Sequence, residues 1–230
     1  LLACRLLKRA GCTVIGVDPN PARVRASLGS GASTSVEDGT AARDAVERTT
    51  GGLGADTVVI CAATESDDPI NLSAALCRER GRVVVVGDVG LGADRKEFYR
   101  KELDLAMSRS LGPGRYDPDY EVGGVDYPPA YVRWTEQRNV AACLTLMAKG
   151  ELEVSQLNPV EMALDDAPAA YARLADETET TAVLLRHGDG ATAVPLTRVD
   201  RRIELTAATP LREGTIGAAV IGAGEFARAV

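Results

Sequence analysis

An aspartate at the end of a short apolar run is the residue whose position in this chain best suits binding chemistry. Asp18 ends the run 12–18, Cys-Thr-Val-Ile-Gly-Val-Asp, whose β-branched residues favour a strand. A carboxylate at the carboxyl end of a parallel strand can accept hydrogen bonds from both hydroxyls of an adenosine ribose, and it repels a 2′-phosphate. Asp18 therefore predicts NAD as a cofactor rather than NADP. The alternative interpretation is that Asp18 caps the helix beginning near Pro21.

Further candidate contacts lie after Asp18 and at two later strand ends. Ligands of open α/β sheets bind beyond the carboxyl ends of the strands, where small residues let a cofactor approach the backbone. The residues in such positions are Cys61, Ala62, Ala63, Gly87, Asp88 and Val89. A simpler interpretation is that they close tight turns. Arg23, at the start of the next helix, is placed to lie against the adenine face or the pyrophosphate.

A second nucleotide-binding pattern stands at the end of the chain. Residues 216–230 contain an apolar run followed by Gly222, Gly224 and Ala227, the Gly-x-Gly-x-x-Ala spacing that opens a dinucleotide-binding unit. Such a turn normally precedes an acidic residue like Asp18 by about 20 residues, which places the first unit's turn upstream of Leu1. We therefore expect a fragment of a protein with two nucleotide-binding units in series. In the alternative interpretation, the final strand fills the central place of the missing first strand, in cis or by swapping.

Residues 112–130 are rich in Gly, Pro and Asp, which predicts a long ordered loop or lid. Aromatic and guanidinium side chains gather in and just after this stretch: Tyr116, Tyr120, Tyr127, Tyr131, Trp134, Arg115, Arg133 and Arg138. Aromatic faces stack on sugar rings and Arg pairs with carboxylate or phosphate, so the cluster suits a sugar-like, anionic ligand. The same side chains are also typical of loop packing or of the interface of a homo-oligomer.

Helical and strand patterns alternate over the first 110 residues. The predicted helices lie at 1–10, 21–28, 40–49 and 70–79, and the predicted strands at 12–18, 32–36, 56–62 and 82–87. Continuous β-branched runs of this kind indicate strands buried on both faces. We therefore predict an α/β fold, a doubly wound parallel sheet of the Rossmann type that is incomplete at the N-terminus. A helix at 131–149, a strand at 161–164, a helix ending near 175 and a strand at 180–186 follow.

Composition and charge argue against several classes of function. The 230 residues are 45% hydrophobic with a net charge of -7, and no run of Lys or Arg could follow a phosphate backbone, so we expect no nucleic-acid partner. The apolar runs are strand-length, far below the roughly 20 residues of a spanning helix, so we expect no membrane partner. The five cysteines match no ligand spacing, and we interpret them as buried, reduced thiols of a cytoplasmic protein. His187, the only histidine, is expected on the surface, and this chain alone offers no zinc site.

Several stretches resemble the coenzyme domain of the medium-chain, zinc-type alcohol dehydrogenase superfamily. They are Gly-Cys-Thr-Val-Ile-Gly-Val-Asp at 11–18, the strand at 54–62 and Gly-Arg-Val-Val-Val-Val-Gly at 81–87. Residues 108–120 and 131–139 further resemble the subgroup in which a dehydrogenase half is fused to a glucose-fructose oxidoreductase-like (Gfo/Idh/MocA) half, often found with polysaccharide biosynthesis. Residues 220–227 resemble the opening of that second half.

The resemblance implies an NAD-dependent oxidoreductase that moves a hydride between a nicotinamide and an alcohol or carbonyl, on a sugar or sugar nucleotide. It implies the same adenosine and nicotinamide contacts, and it assigns Gly222, Gly224 and Ala227 to the second half's fingerprint. The family's zinc ligands, proton relay and first fingerprint lie outside this chain. Zinc is therefore expected only in the full-length protein, no residue here is assigned as catalytic, and we expect the fragment alone to be inactive.

The resemblance also divides the chain into four parts. We expect a partial dinucleotide-binding domain at 1–150 and a segment returning to a catalytic lobe at 151–187. A linker at 188–213 and the start of a second dinucleotide-binding domain at 214–230 complete the chain.

The sequence leaves two other functions open. One is a non-catalytic module that binds NAD or holds two halves together, and the presence or loss of a Cys or His metal set upstream of Leu1 would distinguish it. The other is a zinc-independent, quinone reductase-like enzyme. Such an enzyme prefers NADPH, which would contradict the role of Asp18.

Overall fold

Parallel strands form the framework of the chain in the computed structural model, which describes residues 1–154, 157, 159–176 and 182–188. One sheet pairs β1 (Ile15–Val17) with β2 (Thr34–Val36), and a second contains β3 (Ala55–Ile60), β4 (Cys77–Val85) and β5 (Asp104–Met107) in that order. Each of these pairings is parallel, which confirms the predicted α/β fold with parallel strands. The predicted fingerprint at Gly222, Gly224 and Ala227, and most of the predicted linker, lie outside the described residues.

Helices lie between these strands, as the alternating pattern predicted. They are α1 (Leu2–Arg9), α2 (Pro21–Gly29), α3 (Gly39–Thr50), α4 (Asp68–Leu76) and α5 (Arg95–Arg100). The local sequence explains where α2 and α3 begin. The Asn20 side chain accepts a hydrogen bond from the N–H of Ala22 at 2.8 Å, and the Asp38 carboxylate accepts from two N–H groups in the first turn of α3. Gly51 ends α3 in the left-handed conformation that glycine adopts without strain.

Helix α3 joins the two sheets through a shared hydrophobic cluster. The cluster comprises the buried residues Ala42, Val46 and Leu76, contacted by Ile15 of β1, Val36 of β2, and Ala55 and Val58 of β3. Among the described residues, no strand pairing joins the two sheets. The break between them corresponds to the place that the strand order 3-2-1-4-5-6 gives to a first strand. Apolar contact with α3, rather than backbone pairing, therefore holds the two sheets side by side.

The second sheet has a core of its own between its strands and helix α4. Ile70 of α4 and Val83 of β4 are fully buried, and Phe98 of α5 packs against the same cluster. Ile60, the last residue of β3, and Val85, the last residue of β4, also belong to this core. Because both strands end on buried residues, the loops that follow start from fixed positions.

A smaller parallel pair of strands lies in the later part of the chain. The elements after β5 are α6 (Pro118–Glu121), α7 (Glu136–Ala148), β6 (Val160–Ala163), a 3-10 helix (Leu164–Asp166), α8 (Ala167–Asp176) and β7 (Val183–Arg186). Strand β6 pairs with β7, and Arg186 forms an ion pair with Glu161 across them. In the part of the chain that the structure describes, no helix is long and apolar enough to cross a membrane.

Two helix boundaries differ from the sequence prediction. Helix α4 ends at Leu76 instead of near residue 79, because Cys77 already pairs with Ala55 as the first residue of β4. Helix α7 begins at residue 136 instead of 131. Thr135, just before it, is extended, and the guanidinium of Arg138 donates a hydrogen bond back to the carbonyl of Val132. Helix α5 and strand β5 were not predicted, since elements this short show too few periods of an apolar pattern.

The cysteine prediction is correct in part. The five thiols are free, and Cys77 is buried. Cys12 and Cys61 are exposed, so the expectation that all five are buried was wrong. Both residues flank strands at the rim of a sheet, where a thiol need not enter the core. His187 is exposed, as predicted.

Lys101 closes the carboxyl end of α4. Its ammonium donates to the carbonyl oxygens of Ala74 at 2.8 Å, Ala75 at 2.9 Å and Cys77 at 2.6 Å. These carbonyls lie at the end of a helix, where they lack partners within the helix and carry partial negative charge. One side chain thus satisfies three acceptors at the junction of α4 and β4.

We predict that Lys101→Met lowers the free energy of unfolding by about 2 kcal/mol, because it removes charge-assisted hydrogen bonds to half-buried carbonyls. The measurement is urea unfolding followed by circular dichroism. Lys96→Met is the matched control, since Lys96 is exposed on α5 and should change stability by less than about 0.5 kcal/mol. Equal losses in the two variants would contradict the role of Lys101.

Candidate functional site

The carboxyl ends of β3 and β4 bring two groups of predicted site residues together. The N–H groups of Val86 and Gly87 both donate to the carbonyl oxygen of Ile60, at 2.9 and 3.0 Å. Further along, the N–H of Thr64 donates to the carbonyl of Asp88 at 2.8 Å. The predicted positions 61–63 and 87–89 therefore lie side by side beyond the ends of adjacent parallel strands, and their role as cofactor contacts stays a prediction.

The backbone of the loop after β3 passes so close to residue 87 that only glycine fits there. A Cβ at residue 87 would lie 1.9 Å from the carbonyl oxygen of Ala62. That oxygen belongs to the main chain and cannot rotate away as a flexible side chain would. The small residue is therefore needed for packing between the two loops, and not for a tight turn as in the simpler sequence interpretation. It also leaves backbone rather than side chains at the surface, which a ligand could approach.

Asp18 lies at the carboxyl end of β1, in the other sheet. Its Oδ1 accepts a hydrogen bond from the N–H of Asn20 at 2.9 Å, and this holds the turn before α2. Asn20, not Asp18, is the helix cap, so the capping alternative for Asp18 was wrong. Among the described residues Oδ2 of Asp18 has no hydrogen-bond partner, which leaves an acceptor for a ribose hydroxyl.

Arg23 projects from the first turn of α2 and is exposed. Within the described ranges, neither Arg23 nor Asp18 forms a hydrogen bond or ion pair with the loops after β3 and β4. The structure thus places the predicted adenosine contacts on one sheet and the predicted nicotinamide contacts on the other. A ligand that used both groups would extend across the break between the sheets.

Cys61 carries the one thiol among residues 61–63 and 87–89. Burial of its sulfur raises the pKa of the Cys61 thiol, although the residue as a whole is exposed. A raised pKa keeps the thiol protonated at neutral pH and makes it a poor nucleophile. Cys61 therefore suits a contact role in this site.

The loop after β5 is organised by its own hydrogen bonds. Arg138 donates to the carbonyls of Val132 and Tyr127, at 2.5 and 2.7 Å, and forms an ion pair with Asp126. The hydroxyl of Tyr127 bonds to Asp117, which lowers the pKa of the Asp117 carboxyl and raises the pKa of Tyr127. Tyr127 and Arg138 are thus committed to packing within the loop, whereas Tyr116, Tyr131 and Trp134 of the predicted cluster are exposed.

A cavity of about 500 Å³ lies in this loop. Its lining comprises Arg115, Tyr120, Glu121, Gly124, Asp126, Glu136 and Gln137. Three of these residues are carboxylates and one is a guanidinium, which is already paired with Glu121 at 3.0 Å. Asp126 is likewise paired with Arg138, so the lining offers an anionic ligand no unpaired guanidinium, while Glu136 repels it. Arg133 lies over the Trp134 ring, 4.2 Å from its centroid, and does not line the cavity.

The described side chains differ in how well they suit the two expected cofactors, a nicotinamide dinucleotide and zinc. Oδ2 of Asp18, which has no partner among the described residues, and the small residues Ala62, Ala63 and Gly87 fit a nicotinamide dinucleotide. For zinc, no three His, Cys, Asp or Glu side chains converge anywhere in the described residues. The prediction that zinc ligands lie in other parts of the full-length protein stays a prediction.

Comparison with known proteins identifies the family. A model of the zinc-binding dehydrogenase family matches residues 1–121, more than half of the chain, and the chain belongs to this family. No curated protein matches it.

Solved structures of oxidoreductases share the fold. A quinone oxidoreductase from Pseudomonas syringae pv. tomato DC3000 is 20% identical with a TM-score of 0.56, over 81% of this chain and 52% of its own. An alcohol dehydrogenase from Aeropyrum pernix is 18% identical with a TM-score of 0.60, over 81% and 46%. A short chain alcohol dehydrogenase from E. coli CFT073, solved with NADH, is 15% identical with a TM-score of 0.58, over 80% and 48%. The chain therefore spans about half the length of these proteins.

Asp67 and Asn71 join the loops that follow β3 and β4, and the sequence did not predict this role. Their side chains bind the backbone of the loop after β4, at Gly92 and Asp94. In the sequence, Gly90 and Gly92 are closely spaced and two aspartates begin a helix, but nothing connects these features. The sequence alone does not show which side chain the glycines accommodate.

We predict that Gly87→Ala lowers the free energy of unfolding by about 2–3 kcal/mol, because the new methyl group collides with the carbonyl of Ala62. Chemical unfolding measures the effect. Gly29→Ala provides the comparison, since Gly29 is helical and a Cβ there meets nothing within 4 Å. Its stability should be unchanged or slightly higher. A similar loss from Gly29→Ala would indicate that added methyl groups, not this contact, are responsible.

We predict that Tyr127→Phe raises the pKa of Asp117 toward the usual carboxyl value, as followed by NMR pH titration of the side-chain carboxyl. The hydrogen bond lowers the folded-state pKa, so its stabilising contribution is present above the unfolded pKa and is lost as the pH falls through the folded pKa. Tyr131→Phe, an exposed tyrosine nearby, should leave the pKa unchanged. An unaltered Asp117 pKa in Tyr127→Phe would exclude the contact.

Proposed function

We propose that the strand ends form the binding site of a nicotinamide dinucleotide in an oxidoreductase. Asp18 accepts the adenosine ribose hydroxyls, Arg23 lies beside the adenine or pyrophosphate, and the surface at 61–63 and 87–89 contacts the nicotinamide side. The observation that carries the proposal is the position of Asp18, at the carboxyl end of a parallel strand, with one carboxylate oxygen that has no partner in the described part of the chain.

Family membership and one structural neighbour support this proposal. The family is that of zinc-binding dehydrogenases, and the E. coli neighbour was solved in complex with NADH. When bound, the nicotinamide supplies the hydride chemistry, between its ring and an alcohol or carbonyl carbon. The residues of this chain bind and orient the cofactor. Their contribution is to place the ribose and to fix the backbone against which the nicotinamide side rests.

The finer assignments are part of the same proposal. We propose NAD rather than NADP because the Asp18 carboxylate would repel a 2′-phosphate. We also propose a sugar or sugar nucleotide as substrate and a second, Gfo/Idh/MocA-like half beginning near residue 214, both of which rest on sequence resemblance. We propose that a substrate bound in the cavity beside Tyr120 is uncharged rather than anionic, because carboxylates line this cavity. Free thiols support a cytoplasmic location.

A quinone reductase-like function is the second candidate. The Pseudomonas syringae neighbour is a quinone oxidoreductase, with a fold similarity comparable to that of the alcohol dehydrogenases. Cofactor preference separates the two functions, since the alternative enzyme is expected to use NADPH. A non-catalytic binding module would bind NADH and transfer no hydride to any alcohol or carbonyl in the complete protein.

We predict that the 230-residue chain binds NADH about tenfold more tightly than NADPH, a difference of ~1.4 kcal/mol. Asp18→Ala should abolish this preference by weakening NADH binding and relieving the repulsion of the 2′-phosphate. Titration with each cofactor, followed by NMR of the ligand, measures both affinities. Asp44→Ala is the matched control, because Asp44 is an exposed carboxylate on α3. Tighter binding of NADPH to the unmodified chain would refute the assignment.

A further inference from the structure

The loops that follow β3 and β4 remain hydrogen-bonded well past the ends of the strands. Beyond Gly87, the N–H of Thr64 donates to the carbonyl of Asp88 at 2.8 Å, and the N–H of Gly90 donates to the carbonyl of Ser66 at 3.2 Å. Thr64 and Val89 form a parallel bridge. The two loops therefore leave the sheet as a pair, although neither is a regular strand.

Two side chains continue this pairing where the backbones diverge. Oδ1 of Asp67 accepts from the N–H of Gly92 at 2.7 Å. The Asn71 amide donates through Nδ2 to the carbonyl of Gly92 at 3.1 Å and accepts at Oδ1 from the N–H of Asp94 at 2.8 Å. Asp67 and Asn71 thus replace the backbone partners that a longer strand would have supplied, and we call these three bonds the loop clamp.

Asp67 stands where a helix-capping residue is expected. Asp67 precedes the first residue of α4, where an aspartate usually accepts a hydrogen bond from an N–H of the first turn. Its side chain makes no such bond. The carboxylate is directed instead to another loop, so its role lies in joining the loops rather than in starting the helix.

Two glycines make room for this carboxylate. A Cβ at Gly90 would lie 2.3 Å from Oδ1 of Asp67, and a Cβ at Gly92 would lie 2.2 Å from Oδ2. Neither glycine has a positive φ, so neither is needed for its backbone conformation. Both are needed to let the carboxylate lie against the loop after β4.

We infer that Asp67 and Asn71 are positioning residues that hold the surface at 61–63 and 87–89 in a single arrangement for the nicotinamide side of the cofactor. The inference rests on the proposed function for its ligand, and on the loop clamp for its geometry. The clamp lies just beyond the proposed contact residues, on both loops. Without it, the loops are joined only by the backbone bonds nearer the sheet.

Amide hydrogen exchange, measured by NMR on the 230-residue chain, tests the clamp without any cofactor. Asp67→Ala should speed exchange of the Gly92 N–H by about tenfold, as expected for loss of one charge-assisted hydrogen bond. Asp67→Asn keeps an acceptor oxygen and should restore most of the protection. Asn71→Ala should expose the Asp94 N–H, whereas Asn71→Asp should leave it protected. Asp68→Ala, one residue further on, is the control and should change neither amide.

Saturation-transfer NMR with NADH tests the positioning role. In the unmodified chain, both the adenine and the nicotinamide protons of NADH should receive saturation. Asp67→Ala should reduce the nicotinamide signal at least threefold relative to the adenine signal, and Asp67→Asn should restore it. A merely structural role would lower both signals together.

The outcomes separate the two proposals. Unchanged exchange at Gly92 in Asp67→Ala overturns the clamp. Faster exchange with an unchanged ratio of nicotinamide to adenine signals overturns the positioning role and leaves the proposed function intact. Failure of the unmodified chain to bind NADH at all overturns the proposed function, and the positioning role with it.

Discussion

The carbonyl oxygen of Ala62 lies 1.9 Å from the place that a side chain at residue 87 would occupy. Ile60 and Val85 end their strands inside the hydrophobic core, so β3 and β4 cannot move apart to relieve this approach. The two loops must therefore leave the sheet in contact, and residue 87, where their backbones meet, must be a glycine. Everything proposed for the nicotinamide side follows from this constraint, because it creates a surface of exposed backbone at a strand end.

The Asp18 half of the proposed site is attached to the other half by a weaker constraint, apolar contact. Asp18 belongs to the sheet of β1 and β2, which contacts the second sheet through the cluster beneath α3 rather than through strand pairing. Apolar contact fixes distance less sharply than a ladder of directional hydrogen bonds does. The position of one half relative to the other is thus fixed less sharply than the arrangement within either sheet. A dinucleotide spanning both sheets would add a contact between parts that share only a hydrophobic layer.

The sequence predicted what depends on composition and periodicity. Runs of β-branched residues identified β3 and β4, although only the last residue of β3 is buried, and the Asn20-Pro21 pair identified the start of α2, because both signals are local. The extent of β4 was missed, since its first residues are charged and gain their partners only from the neighbouring strand. The loop clamp was missed for a similar reason. An aspartate before a helix predicts a cap, and only the folded chain shows that the carboxylate of Asp67 turns to a glycine 25 residues away.

The most direct test of the account is a map of backbone amide shifts in the 230-residue chain as NADH is added. The account predicts that the largest changes fall at the ends of β1, β3 and β4, around residues 18, 61–63 and 87–89. Changes confined to the acidic cavity between Arg115 and Gln137, or the absence of any change at residues 87–89, would contradict it.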